Sequence, residues 1–126
     1  MTTPRDIERF YEQYTAALSN HDLEAVAGLF AANAVIYDPV DSPPVEGVDK
    51  IREFFAGTAP AVRSVKVSGP VHISSDCRHA AVQMEAEVDL GQGLQVMDVL
   101  DAMTFDDEGR VTTMTAYYGP TNLHDR

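Results

Sequence analysis

The sequence has no tryptophan, a single cysteine, and nine lysines and arginines against twenty aspartates and glutamates. One cysteine, Cys77, excludes an intrachain disulfide and a cysteine-based zinc site, and reads as an ordinary thiol of a reducing cytosol. The net charge of -11 argues against nucleic acid or an anionic membrane surface as a partner, because like charges repel. No apolar stretch approaches the length of a membrane span, and Met1-Thr2-Thr3-Pro4-Arg5 leads into an amphipathic pattern rather than a secretory signal. A soluble, cytoplasmic protein with an apolar or neutral small ligand is expected. The 126 residues, 44% of them hydrophobic, suffice for one domain, 1–126, with a real core.

Thr3 before Pro4, with Asp6 in the first turn, predicts a helix start near Pro4. Ile7, Phe10, Tyr11, Tyr14, Ala17 and Leu18 then keep the spacing of one buried stripe. Asn20-His21-Asp22 ends that helix. Asp22 caps a second one, with Leu23, Val26, Ala27 and Phe30 on its inner face. Residues 34–38 read as a short strand ended by Pro39, and 40–47 as a turn-rich loop able to rim a pocket. A third helix places Val48, Ile51, Phe54 and Phe55 inward, with Gly57 and Pro60 after its end. Beyond it the period changes to two: residues 62–68, 71–75, 82–90, 96–105 and 111–118 read as strands, the last three joined by Gly91-Gln92-Gly93 and Asp106-Asp107-Glu108-Gly109. Three helices followed by a meander predict an α+β domain, a curved antiparallel sheet holding the helices on its concave side. Such a cone has one open, mostly apolar end where small ligands bind.

The strand over residues 96–105 carries the most unusual residue. Met97, Val99, Asp101, Met103 and Phe105 share one face, so a carboxyl lies alone among apolar neighbours, where it tends to stay protonated and to donate. Two other polar groups fall on inward positions, Tyr14 on the first helix and Asp38 beside Pro39. Each has an ordinary explanation: a core phenol finds a backbone acceptor, and Asp before Pro is a common turn pair. Together they suggest chemistry. An ionised aspartate serves as a base, while a phenol and a neutral acid donate to one developing oxyanion, a set suited to proton abstraction next to a carbonyl. His21, His72, His79 and His124 show no metal-ligand spacing. The methionines read first as core filling, though they suit an adaptable apolar pocket.

These residues resemble the bacterial ketosteroid isomerases. The resemblance runs from the Tyr14 helix to Asn122-Leu123. It rests on Tyr37-Asp38-Pro39 with Pro43-Pro44 and Gly47, on Asp98-Val99-Leu100-Asp101, on Phe105-Asp106 through Gly109, and on residues 114–118. It implies Asp38 as the proton-shuttling base, Tyr14 and Asp101 as donors to a dienolate oxygen, and a homodimer of conical α+β barrels, cystatin-like or nuclear transport factor-like. It also implies a 3-oxo-Δ5-steroid as substrate, with no metal or organic cofactor. Phe55, Met84, Ala86, Met97, Val99, Met114 and Tyr118 would form the substrate wall, and only Tyr118 among them adds a polar atom. Phe55 departs from the family, which often has a supporting tyrosine there, and Phe30 also lacks a hydroxyl. Rival readings are a polyketide cyclase, dehydratase or epoxide hydrolase on the same cone, or a non-catalytic apolar-ligand carrier. Dehydration would favour inward histidines, and epoxide hydrolysis an inward Asp-Arg-Asp set.

Overall fold

Thr3 and Asp6 cap the first helix reciprocally. The Thr3 hydroxyl accepts from the Asp6 N–H at 3.2 Å, and Asp6 Oδ2 accepts from the Thr3 N–H at 2.9 Å. Helix α1 (Pro4–Ser19) buries Ile7, Phe10, Tyr11, Tyr14 and Ala17, the stripe its spacing predicts. The computed structural model describes residues 2–126. Asp22 caps α2 (Leu23–Ala27), which is shorter than the sequence pattern suggests. Phe30 is not on its inner face: the chain leaves the helix at Gly28, and Phe30 opens strand β1 (Phe30–Tyr37). Its ring packs against those of Tyr14 and Phe55, with centroids 6.3 and 6.1 Å away, a tertiary preference that outweighs the helical spacing.

The rest follows as β2 (Val45–Glu46), α3 (Val48–Thr58), β3 (Val62–Val67), β4 (His72–Ile73), β5 (His79–Asp89), β6 (Leu94–Phe105), β7 (Val111–Tyr117) and β8 (Leu123–Asp125). The strand expected over 71–75 shrinks to β4, because Ser74 turns the chain: its hydroxyl bonds Asp76 and its carbonyl accepts from Cys77 N–H at 2.9 Å. The tail around His124, which has no obvious strand pattern, pairs with β6 as β8.

The strands form one sheet in the order β2-β1-β7-β6-β5-β3, with β4 also on β5 and β8 on β6. The sheet is mixed, which corrects the expectation of an antiparallel one. The meander β5-β6-β7 is antiparallel, as short hairpins demand, but β1 and β7 run parallel, with Ile36 opposite Met114 and Tyr37 opposite Thr115. The two are far apart in sequence, so no tight turn imposes their direction. The parallel pairing brings the C-terminal ends of β1 and β7 to the same edge of the cone.

Cross-strand register then fixes the concave face. Asp101 lies between Val82 on β5 and Ala116 on β7, with Met84 opposite Val99 and Ala86 opposite Met97. These residues and the helices enclose the core. No helix among the described residues is long and apolar enough to cross a membrane.

Candidate active site

A cavity opens between the helices and the concave face. It receives Tyr14 and Leu18 from α1, Val26 from α2, Phe54 and Phe55 from α3, and Met84, Ala86, Met97, Val99 and Asp101 from the central strands. Asp38 and Tyr118 stand just past the ends of β1 and β7 and line it too. Its internal volume is about 140 Å³, and the empty space including the open mouth about 840 Å³. An apolar cavity of roughly 150 Å³ holds one benzene ring, so the enclosed part accepts one ring of a ligand while the remainder occupies the mouth.

Asp101 is 2% exposed. Val82 and Ala116 flank it on the neighbouring strands, and no side-chain hydrogen bond or cation among the described residues compensates a charge there. Oδ1 is sealed from solvent without a partner. Burial therefore pushes this carboxyl well above the usual carboxylate range, and the negative charge of Asp38 acts in the same direction. Burial thus favours its uncharged form, which can donate.

Asp38 is held differently. It follows β1, half-buried, and the Val40 N–H donates to the Ala116 carbonyl at 2.8 Å, tying the loop to β7. The Tyr118 hydroxyl donates to Asp38 Oδ1 at 2.7 Å. Burial raises the Asp38 carboxyl, and the Tyr118 hydrogen bond, by favouring the charged form, opposes that rise. This contact depends on the parallel pairing of β1 and β7. An antiparallel pairing would have placed Asp38 near the start of β7, far from Tyr118. The hydroxyl on Tyr118 was visible in the sequence, but its partner was not.

Tyr14 is fixed by its neighbours. Phe10 stacks on it at 5.8 Å and turns its own edge to Phe105 at 5.1 Å. The Tyr14 hydroxyl donates to Met114 Sδ at 3.3 Å, a weak acceptor that an oxyanion would readily replace. Burial, then the charges of Asp101 and Asp38, raise its proton affinity well above that of a free phenol, so it remains a donor.

Of the wall residues named from sequence, Phe55, Met84, Ala86, Met97, Val99 and Tyr118 line the cavity. Met114 does not. It is 1% exposed and lies behind Tyr14, where it serves as acceptor to the phenol. Phe55 meets the Tyr14 ring edge-on at 6.5 Å and, having no hydroxyl, leaves the sulfur as the acceptor. Tyr11, read from sequence as core, is buried and does not line the cavity. His21 lines the mouth, but its Nε2 is engaged with the Val62 carbonyl at 2.7 Å. Among the described residues, no lysine or arginine lines the cavity. No group of three His, Cys, Asp or Glu among the described residues is arranged to hold a metal ion.

The arrangement pairs one neutral carboxyl and one phenol, both donors, with a second carboxyl that ionises more readily. Such a combination is chemically able to accept a proton at one side of a ligand and to stabilise negative charge on an oxygen at the other.

Comparison with known proteins finds relatives in sequence and in fold. A steroid Delta-isomerase of Nocardioides simplex is 29% identical over 118 residues, 94% of each chain. The solved structure of SalBIII, described as an epoxide hydrolase/cyclase-like enzyme in pyran ring formation in the polyether salinomycin, superposes with a TM-score of 0.90 over the whole of both chains at 24% identity. The likeness to SalBIII is one of fold, a nuclear transport factor-like cone. Residues 7–114 match the family described as the SnoaL-like domain, and the chain belongs to that family.

Proposed function

We propose that this chain, a small-molecule enzyme of the SnoaL-like fold, moves the double bond of a 3-oxo-Δ5-steroid into conjugation with the ketone by intramolecular proton transfer. The observation that carries the reading is the contrast between two carboxyls on one apolar cavity: Asp101, sealed between Val82 and Ala116, and Asp38, served by the Tyr118 hydroxyl. In this reading Asp38 takes the proton between the alkene and the carbonyl, and the carbonyl oxygen becomes a dienolate. Tyr14 and neutral Asp101 donate to that oxygen, and stabilisation arises because both donors are already oriented in a site of low polarity. Asp38, now protonated, returns the proton at the far end of the dienolate, and the base is restored without net change. The curated relative, a steroid Delta-isomerase, supports the same reaction class.

Epoxide opening and ring closure, suggested by the SalBIII likeness, are the rival on this fold. They also use an acid and a base, but the absence of a lysine or arginine from the cavity wall removes the Asp-Arg-Asp arrangement. The proposal extends to a homodimer. Leu100 and Tyr117, each 47% exposed and paired in register on the convex face, are suited to cover one another's counterparts across two copies.

The test is the growth of conjugated-enone absorbance when the protein is added to a 3-oxo-Δ5-steroid. Turnover by the wild-type protein and its near-complete loss in Asp38→Asn are expected. A steroid bound equally by both proteins and turned over by neither would instead identify a carrier.

A further inference from the structure

Three buried side-chain polar atoms among the described residues have no hydrogen-bond partner; one, Arg52 Nε, lies 3.0 Å from Glu24 in an ion pair, which leaves Tyr11 Oη and Asp101 Oδ1. Tyr11 is 1% exposed, does not line the cavity, and lies one turn before Tyr14 on the inner face of α1. Its ring is clamped edge-on by Phe10 at 5.2 Å, so the hydroxyl has little freedom to seek solvent. A phenol whose hydroxyl is fully buried normally finds an acceptor, and an unmade bond there costs free energy. Burial first, and then Asp101 in its ionised form, drive the proton affinity of the Tyr11 hydroxyl up. Both groups are buried and unpartnered, the phenol outside the cavity lining and the acid within it.

We propose that Tyr11 is the positioning residue of the site: once a ligand is bound, its hydroxyl donates to the sealed Oδ1 of Asp101, so that the proton of the acid is carried by the other oxygen, the one available to the ligand. A neutral carboxyl has one proton and two oxygens. If the proton resides on the inner oxygen, the acid cannot donate into the cavity, and a donor placed behind Oδ1 removes that choice. Hydrogen bonds of catalytic groups often lengthen in the absence of a reacting partner and tighten when it is bound, so the contact is expected to close as Asp101 donates to a ligand oxygen. The inference rests on Asp101 being a donor in the proposed reaction, but not on the steroid as substrate.

The probe is 4-nitrophenol, whose phenolate mimics the oxyanion and whose absorbance reports binding, with turnover followed alongside. Tyr11→Phe, which deletes one oxygen and keeps the ring, is expected to weaken 4-nitrophenol binding three- to tenfold. It should lower kcat on the steroid by a similar factor at unchanged KM, and leave the melting temperature equal or higher, because a buried hydroxyl without a partner has been removed. In an Asp101→Ala background the same change is expected to have no effect on 4-nitrophenol binding. The proposal is overturned if wild-type protein does not bind 4-nitrophenol, or if Tyr11→Phe binds it like wild type. It is also overturned if the loss persists in the Asp101→Ala background, or if the melting temperature falls by several degrees, which would give the hydroxyl a structural partner elsewhere. Wild-type protein that binds 4-nitrophenol with the expected Tyr11 dependence but turns over no steroid refutes the proposed reaction and sustains the positioning role.

Discussion

Replacing Tyr118 by phenylalanine isolates what one hydrogen bond does to the base. The hydroxyl donates to Asp38 Oδ1 at 2.7 Å, and the ring stands half-buried at the cavity edge. Burial raises the Asp38 carboxyl and this bond opposes it, so Tyr118→Phe leaves the raising effect unopposed. A hydrogen bond to a charged group is worth roughly 1.5–3 kcal/mol, and water partly replaces it at a half-open site, so the lower figure applies. About 1.4 kcal/mol is a factor of ten in equilibrium, so on the acid limb of kcat/KM the ionised fraction of Asp38 falls about tenfold. The sign reverses on the alkaline plateau, where Asp38 is ionised in both proteins: there the variant holds a stronger base and its rate equals or exceeds that of wild type. Steady-state rates of enone formation across the pH range give the curve directly. A loss of equal size at every pH would mean that Tyr118 acts by packing alone, and an acid limb that stays in place would show that the bond does not bear on the base.

Asp101→Ala removes one preorganised donor and should lower kcat by about one hundred- to one thousandfold, whereas Asp101→Asn, whose amide still donates, should retain much more activity. The same asparagine variant should change stability with pH. The folded state holds the Asp101 proton over a range where the unfolded chain has lost it, so wild-type stability falls as pH rises above the ordinary carboxylate range, and that component of the slope should vanish in urea titrations of Asp101→Asn. Met114→Leu conserves volume but removes the sulfur that accepts from Tyr14. Chemical denaturation should show a loss below about 1.5 kcal/mol, with turnover little changed because the ligand oxygen takes the same donor. Thr3→Ala opens the reciprocal cap of α1 and should cost about 1 kcal/mol and lower the melting temperature by about 4 °C, leaving kcat and KM as they are.

The sequence alone determined what depends on neighbours along the chain. The cap at Thr3, the buried stripe of α1 and the alternation of the central strands follow from hydrogen-bond and side-chain geometry within a few residues. The same alternation singled out Asp101, since residues two apart on a strand share a face whatever the strand pairs with. Tertiary structure decided the remainder, because pairing between distant segments costs loop entropy and is selected by the whole core rather than by local pattern. Phe30 left its helix for a strand because the rings of Tyr14 and Phe55 reward it there. The parallel pairing of β1 with β7 was invisible in either strand, yet it brings the Tyr118 hydroxyl to Asp38. Likewise, Val82 and Ala116 flank Asp101 only through register, and Met114 turned from cavity wall to acceptor for Tyr14 because of where β7 meets α1. The chemical groups were legible one by one; which of them is charged, which donates and which holds another in place depends on distances that only the closed cone creates.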